Sequence, residues 1–101
     1  MSELPKYILR YTTYYVYDSR GRFQREGWRR PPVGTQFRQR TFYRSTFAGW
    51  TERPTLIKQF THRGAQRVRT IVLNRWHAHR EFALEDIPYI DIEVILRPSK
   101  Q

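Results

Sequence analysis

The chain has 101 residues and a formal net charge of +10, and it contains no cysteine. This length allows one domain with a modest core, which argues against a deep catalytic cleft. The lack of cysteine excludes disulfide frameworks and thiolate metal sites, and no apolar run approaches the ~18 residues of a membrane span. We therefore expect a single soluble, intracellular domain, cytoplasmic or organellar, with loose termini and no membrane insertion.

The positive charge is mainly arginine, which supplies 16 of the 19 basic residues. Its planar guanidinium group favours bidentate contacts with phosphates or carboxylates and stacking on aromatic rings. From Ser19 to Arg80 the chain has 15 basic residues and two acids, whereas from Glu81 to Glu93 it has five acids and no base. This division predicts that the basic stretch faces a polyanion or an acidic protein. The acidic stretch is then solvated surface or a partner for some of the arginines.

The first half of the chain predicts two strands joined by a loop. Residues 6–17 carry strand-forming residues on both alternations, which indicates a central strand covered on two sides. Residues 18–21 predict a turn, and residues 22–36, with two prolines, predict a long basic loop. Residues 37–47 predict a second strand in which one face packs. The other face carries Arg38, Arg40, Phe42 and Arg44.

The second half predicts a helix followed by two strands. Residues 51–63 indicate a short helix with Pro54 in its first turn and Gly64 as its C-terminal cap. Residues 68–73 and 89–97 predict strands, while residues 74–86 fit a helix or an irregular turn. The expected fold is α+β, a small, mostly antiparallel sheet of about four strands with one or two short helices on one face. A small β-barrel is the alternative.

Interleaved arginine and aromatic residues are the main functional signal, because guanidinium groups contact phosphates or carboxylates while rings stack on bases. No zinc finger or RNP pattern is present, so backbone and shape recognition is expected rather than base readout. We interpret the chain as a non-catalytic docking module without a metal or cofactor, most simply an RNA- or single-stranded-DNA-binding protein or ribonucleoprotein subunit. The candidate binding residues are Arg29, Arg30, Arg38, Arg40, Arg44, Arg67 and Arg69, with Trp28 and Phe42 as stacking rings.

An enzymatic alternative comes from His77 and His79, which are separated by one alanine. This spacing is similar to the histidine pair of single-strand nicking enzymes, in which two histidines on one strand hold a divalent metal. Tyr89 would then be the nucleophile. The sequence places no third ligand beside the pair, so two exposed histidines beside Trp76 are the simpler interpretation.

A second alternative comes from the segment 37–73. Trp50 and Thr51 are followed by the proposed helix stripe of Ile57 and Phe60, and then by the turn "RGAQRVRTI". This order resembles the small linker domain of phycobilisomes, with a Tyr-Ser pair, a helix and a Gly-Gly-Lys-Ile turn into a strand. Ala65 stands where that family has its second glycine, and the loop 22–36 has no counterpart. The resemblance implies a colourless basic subunit that contacts acidic pigment-protein rings through arginines and aromatics.

Overall fold

The computed structural model describes residues 6–79 and 81–97 and shows an open antiparallel sheet with one α-helix. The α+β class predicted from the sequence is confirmed, and the sheet does not close into a barrel. The terminal segments predicted to be loose lie largely outside the described residues. Within the described ranges no helix is long and apolar enough to cross a membrane. The elements are β1 (Tyr7–Tyr17), β2 (Phe23–Gly27), β3 (Gln36–Arg44), β4 (Trp50–Thr51), α1 (His62–His77) and β5 (Glu93–Leu96), with 3₁₀ turns at Pro54–Leu56 and Leu84–Tyr89.

Strand β1 is the centre of the sheet, as its two-sided apolar pattern predicts. One of its edges pairs with β3 along residues 10–17, and β3 continues to β4. On the other edge, residues 7–10 pair with β5 and residues 14–17 pair with β2. Every described strand except β4 therefore depends on β1 for its backbone hydrogen bonds.

The prediction of an unbroken loop over residues 22–36 is wrong for its first part, because Phe23–Gly27 forms β2. The turn before it is tight: the Asp18 carboxylate accepts hydrogen bonds from the backbone N–H groups of Arg20 and Arg22, each at 2.9 Å. Gly21 has φ of 80°, a conformation that side chains disfavour. This compact turn lets the chain reverse at once and pair with β1, and the loop is confined to residues 28–35.

The predicted helix over 51–63 and strand over 68–73 are both wrong. The chain forms β4 and a 3₁₀ turn in the first segment, and α1 begins only at His62. Thr61 is the N-cap, since its Oγ1 accepts a hydrogen bond from the Gly64 N–H at 3.1 Å. Gly64 thus lies in the first turn of the helix rather than after its end. The ambiguous segment 74–86 is divided between the end of α1, irregular chain and the second 3₁₀ turn.

The assignment of Thr61 as the cap predicts a measurable loss of stability. Replacing it with alanine (T61A) is expected to lower the free energy of unfolding by ~1 kcal/mol, because one helix N–H loses its acceptor. T70A is the matched control: the Thr70 hydroxyl donates to the Gln66 carbonyl within the helix, where alanine is a better helix former. Urea unfolding followed by circular dichroism measures both variants. Equal losses in the two would contradict the cap assignment.

Helix α1 packs across β1 and β5 and forms the core with them. Leu9, Ile92 and Ala65 are fully buried, and Leu73 and Ile90 are nearly so. The final strand is shorter than the predicted range 89–97, because a 3₁₀ turn occupies its start. Its alternation is nevertheless right, since the pairing of Leu9 with Val94 places Val94 on the helix-covered face. One face of the sheet is therefore packed by the helix, at the end of β1 that pairs with β5.

Candidate nucleic-acid interface

The register between β1 and β3 shows which residues of β1 lie on the same face as the predicted arginines. Antiparallel partners lie on the same face of a sheet, so Arg38 accompanies Tyr15, Arg40 accompanies Thr13 and Phe42 accompanies Tyr11. Tyr11 contacts Trp76 of α1, with ring centroids 5.1 Å apart. The alternation predicted along this strand is confirmed within β3, but the strand ends at Arg44 rather than at Phe47, which is exposed. The expectation that the arginine face is the open one is wrong, because the helix partly covers that face.

The helix covers only the first half of β1, and the second half forms a ribbon with β2 and β3. On this part of the face, the Phe23 ring lies 5.7 Å from the Tyr15 ring and 6.2 Å from the Tyr17 ring. Phe23 is 58% exposed, and Arg38 is exposed on β3, where it pairs with Tyr15 on the opposite side of β1 from Phe23. We call Tyr15, Tyr17, Phe23 and Arg38 the hairpin patch. The exposed residues Arg20 and Arg22 lie at the adjoining turn.

Arg40 lies on the same face of the sheet and packs against this patch, so its side chain is only partly exposed. Its guanidinium carbon lies 5.0 Å from the ring centroids of both Tyr15 and Phe42, and Nη1 donates to the Tyr15 hydroxyl at 2.8 Å. Nη2 pairs with the Glu52 carboxylate. Phe42 stacks on Tyr11 with centroids 5.1 Å apart and is half-buried. Arg40 and Phe42 therefore hold the Tyr15 ring in place, and Phe42 offers no open face for a base.

Two other predicted binding arginines are paired with the acidic stretch. The Arg29 Nε lies 3.4 Å from Asp86 Oδ1, and Arg69 Nη2 donates to Asp91 Oδ1 at 2.6 Å. Arg69 also donates to the Ile92 carbonyl, which ties α1 to the chain entering β5. The charge of these two arginines is therefore largely compensated within the molecule.

The remaining candidates do not gather at one place. Trp28 is half-buried among the rings of the core, 5.3 Å from Trp76, so it is not a surface stacking ring. Arg44 lies over Trp50 at the far end of β3, and Arg30 lies over the Phe37 ring. Arg67 is exposed on α1. Of the nine predicted residues, only Arg38 lies in the hairpin patch as an exposed group.

The aromatic members of the patch were missed by sequence reasoning. Tyr15 and Tyr17 alternate along β1, but the apolar residues on both alternations of this segment predict a strand covered on both sides. The segment that contains Phe23 predicts a loop. A signal was present, because the Asp18–Gly21 turn is short enough to start a hairpin, and a hairpin would place Phe23 beside Tyr17.

The histidine pair lacks the arrangement of a nicking enzyme. His77 is the last residue of α1, and its Nε2 lies 3.0 Å from the Ile90 carbonyl oxygen. His79 follows the helix, and its Nδ1 accepts a hydrogen bond from the Glu81 N–H. The two histidines therefore do not share a strand. Among residues 6–79 and 81–97, no three His, Cys, Asp or Glu side chains are grouped so that they could hold a metal ion.

The segment that resembles the linker domain has a different order of elements. It contains β3, β4, a 3₁₀ turn and most of α1, in place of the expected helix, glycine turn and strand. The docking role that the resemblance implies stays a prediction. Comparisons with protein-family models, with curated proteins and with solved structures find no match for this chain. The chemistry of its own surface is therefore the basis for assigning a role.

Proposed function

We propose that the protein is a non-catalytic docking module that binds single-stranded nucleic acid, RNA or DNA, through the hairpin patch. The observation that carries the proposal is an exposed Phe23 ring flanked by Tyr15 and Tyr17, with Arg38 opposite Tyr15 on β3, across β1 from Phe23. Rings with an accessible face stack on unpaired bases, and adjacent guanidinium groups contact the phosphates between them. A ribonucleoprotein subunit would use the same contacts.

The distribution of ion pairs supports this role. Arginines 10, 29, 40 and 69 are paired with acids, and they take up five of the carboxylates in the described ranges. Other described arginines form no ion pair there, and three of them, Arg20, Arg22 and Arg38, are exposed in the hairpin patch or at its adjoining turn. A strand of phosphates that meets them releases its condensed counterions, which favours binding without base-specific contacts.

The patch fits a single strand better than a duplex. A duplex hides the faces of its bases, so the exposed Phe23 ring would have no stacking partner there. The ribbon presents a shallow surface rather than a protruding helix that could enter a major groove. Unpaired bases are therefore the expected partners of this aromatic surface.

Salt dependence of oligonucleotide binding is the direct test. Fluorescence anisotropy with labelled oligouridylate and oligothymidylate is expected to show binding at low salt. Three phosphate contacts, from Arg20, Arg22 and Arg38, predict a slope of log K against log salt of about −2, at roughly −0.7 for each contact with a single strand. A duplex of equal length is the control and is expected to bind more weakly. No binding at low salt, or tighter binding of the duplex, would overturn the proposal.

A structural subunit of a large protein assembly, such as a phycobilisome linker, is the second candidate. It is favoured by large apolar side chains exposed outside the hairpin patch, notably Phe47 at 72% and Leu84 at 84%. An acidic protein partner would bury such groups in a packed contact, and its binding would depend less steeply on salt. Material that copurifies with the native protein separates the two candidates: nucleic acid by its ultraviolet absorbance ratio, or an acidic protein.

A further inference from the structure

A cleft of about 430 Å³ opens beside the core, between the β1–β2 pair and the chain that follows α1. Aromatic rings form its walls. Trp28 lies 5.3 Å from Trp76 and 5.8 Å from Phe82, and the planes of Trp28 and Phe82 are at 84°. The Tyr11 ring lies 5.1 Å from that of Trp28. Several rings that also contact one another thus line the cleft, and its volume is in the range of small-ligand sites.

The charge of this cleft is opposite to that of the protein. Its polar lining includes the carboxylates of Glu26, Glu81 and Asp86, and no described Lys, Arg or His lines it. Asp86 is mostly buried, and its charge is compensated by Arg29. The negative charge of the cleft therefore comes mainly from Glu26 and Glu81. Burial and, next, the Glu26 carboxylate raise the pKa of Tyr11 to about 12, so this phenol stays neutral at ordinary pH. In a chain of net charge +10, a carboxylate-lined aromatic cleft is a local exception.

A buried hydroxyl in the lining is also unpaired. Thr13 is 3% exposed, and its Oγ1 has no hydrogen-bond partner among the described residues. It lies in β1 at the stretch between the residues that pair with β5 and those that pair with β2, and it lines the cleft. A buried polar group without a partner is costly, so such groups in folded proteins commonly meet a ligand or a water.

We propose that this cleft binds an organic cation of the methylated-ammonium class. Its methyl groups would lie against the rings of Trp28, Trp76 and Phe82, with its charge toward Glu26 and Glu81. Aromatic faces attract a cation through their quadrupole, and aromatic cages of this composition recognise quaternary ammonium groups. An inorganic divalent ion suits the cleft less well, because it prefers a shell of oxygen ligands to a wall of rings.

The same headgroup occurs in free small molecules such as choline and in trimethylated lysine side chains of proteins. Three probes are therefore titrated into the unmodified protein and followed by tryptophan fluorescence and NMR chemical shifts. They are choline, a short peptide containing trimethyllysine, and 3,3-dimethylbutanol, which is the neutral isostere of choline. Tighter binding of the peptide identifies a protein-borne ligand, whereas equal or tighter binding of choline identifies a free small molecule.

Charge dependence decides whether the cleft acts as proposed. The neutral isostere is expected to bind about tenfold more weakly than choline, since it keeps the shape and loses the cation–π and carboxylate attraction. E26Q is expected to weaken choline binding by a similar factor. E93Q, at a carboxylate that pairs with Arg10 outside the cleft, is the matched control and should leave it unchanged. Isostere and choline binding equally, or neither cation producing a saturable change, would overturn the proposal. The oligonucleotide test above is independent of this result.

Discussion

The double variant F23A/R38Q is expected to bind single-stranded oligonucleotide roughly 10- to 100-fold more weakly than the unmodified protein. Loss of one stacking ring accounts for about 1–3 kcal/mol, and loss of one phosphate contact makes the salt slope less steep by about 0.7. Anisotropy titrations at several salt concentrations measure the affinity and the slope together. Phe23 and Arg38 are both exposed, so their replacement leaves the core intact.

A matched double variant tests whether the effect belongs to the hairpin patch. F47A/R75Q removes an exposed ring and an exposed arginine elsewhere, from the β3–β4 turn and from α1. It makes the same change in net charge, so a purely global electrostatic attraction would weaken equally in both proteins. Equal losses would refute the assignment of binding to the hairpin patch, even if the chain binds nucleic acid.

Replacing Leu9 with alanine is expected to lower the free energy of unfolding by about 2–5 kcal/mol, the usual range for a fully buried leucine. Leu9 is 0% exposed and lies where α1, β1 and β5 meet. Because α1 has no other sheet to pack on, a cavity at this point weakens its docking directly. The measurement is urea unfolding, followed by tryptophan fluorescence and by circular dichroism so that coincidence of the two transitions can be checked.

L84A is the control for this prediction, since the chemical change is identical and Leu84 is 84% exposed. Its expected effect on the free energy of unfolding is within about 0.5 kcal/mol. A comparable loss in both variants would contradict the described core, because it would mean that Leu84 is buried or Leu9 is not.

Local patterns in the sequence predict the structure correctly, whereas elements whose conformation depends on tertiary packing are misplaced. The alternation along β3 was read correctly because a period of two needs only neighbouring residues. The helix was misplaced because Gly64 was read as a terminating cap and the β-branched residues from Val68 to Val72 as a strand. Ala65, Val68, Val72 and Trp76 nevertheless have helical spacing, and burial of that stripe on β1 outweighs strand propensity.

The functional surface was harder to predict than the fold. Arg29 and Arg69 are compensated by Asp86 and Asp91, which lie far along the chain and come close only through the sheet topology. The division of charge along the sequence predicts that some arginines pair with the acidic stretch. It does not indicate which arginines form these ion pairs. The exposure of Phe23 likewise depends on how much of the sheet α1 covers. The residues next to Phe23 in the sequence do not predict this.

The pairing of β5 with the start of β1 has a consequence for how the chain folds. It joins segments more than 80 residues apart, as the Arg10–Glu93 contact with its separation of 83 shows. Bringing these two segments together costs chain entropy before their native contacts form. Folding rates therefore fall as the separation of contacting residues grows. During synthesis, β5 leaves the ribosome after every other described element. Until then, one edge of the first half of β1 has no strand to pair with and can pair with a neighbouring chain. We therefore expect the chain to be most prone to aggregation before its synthesis is complete.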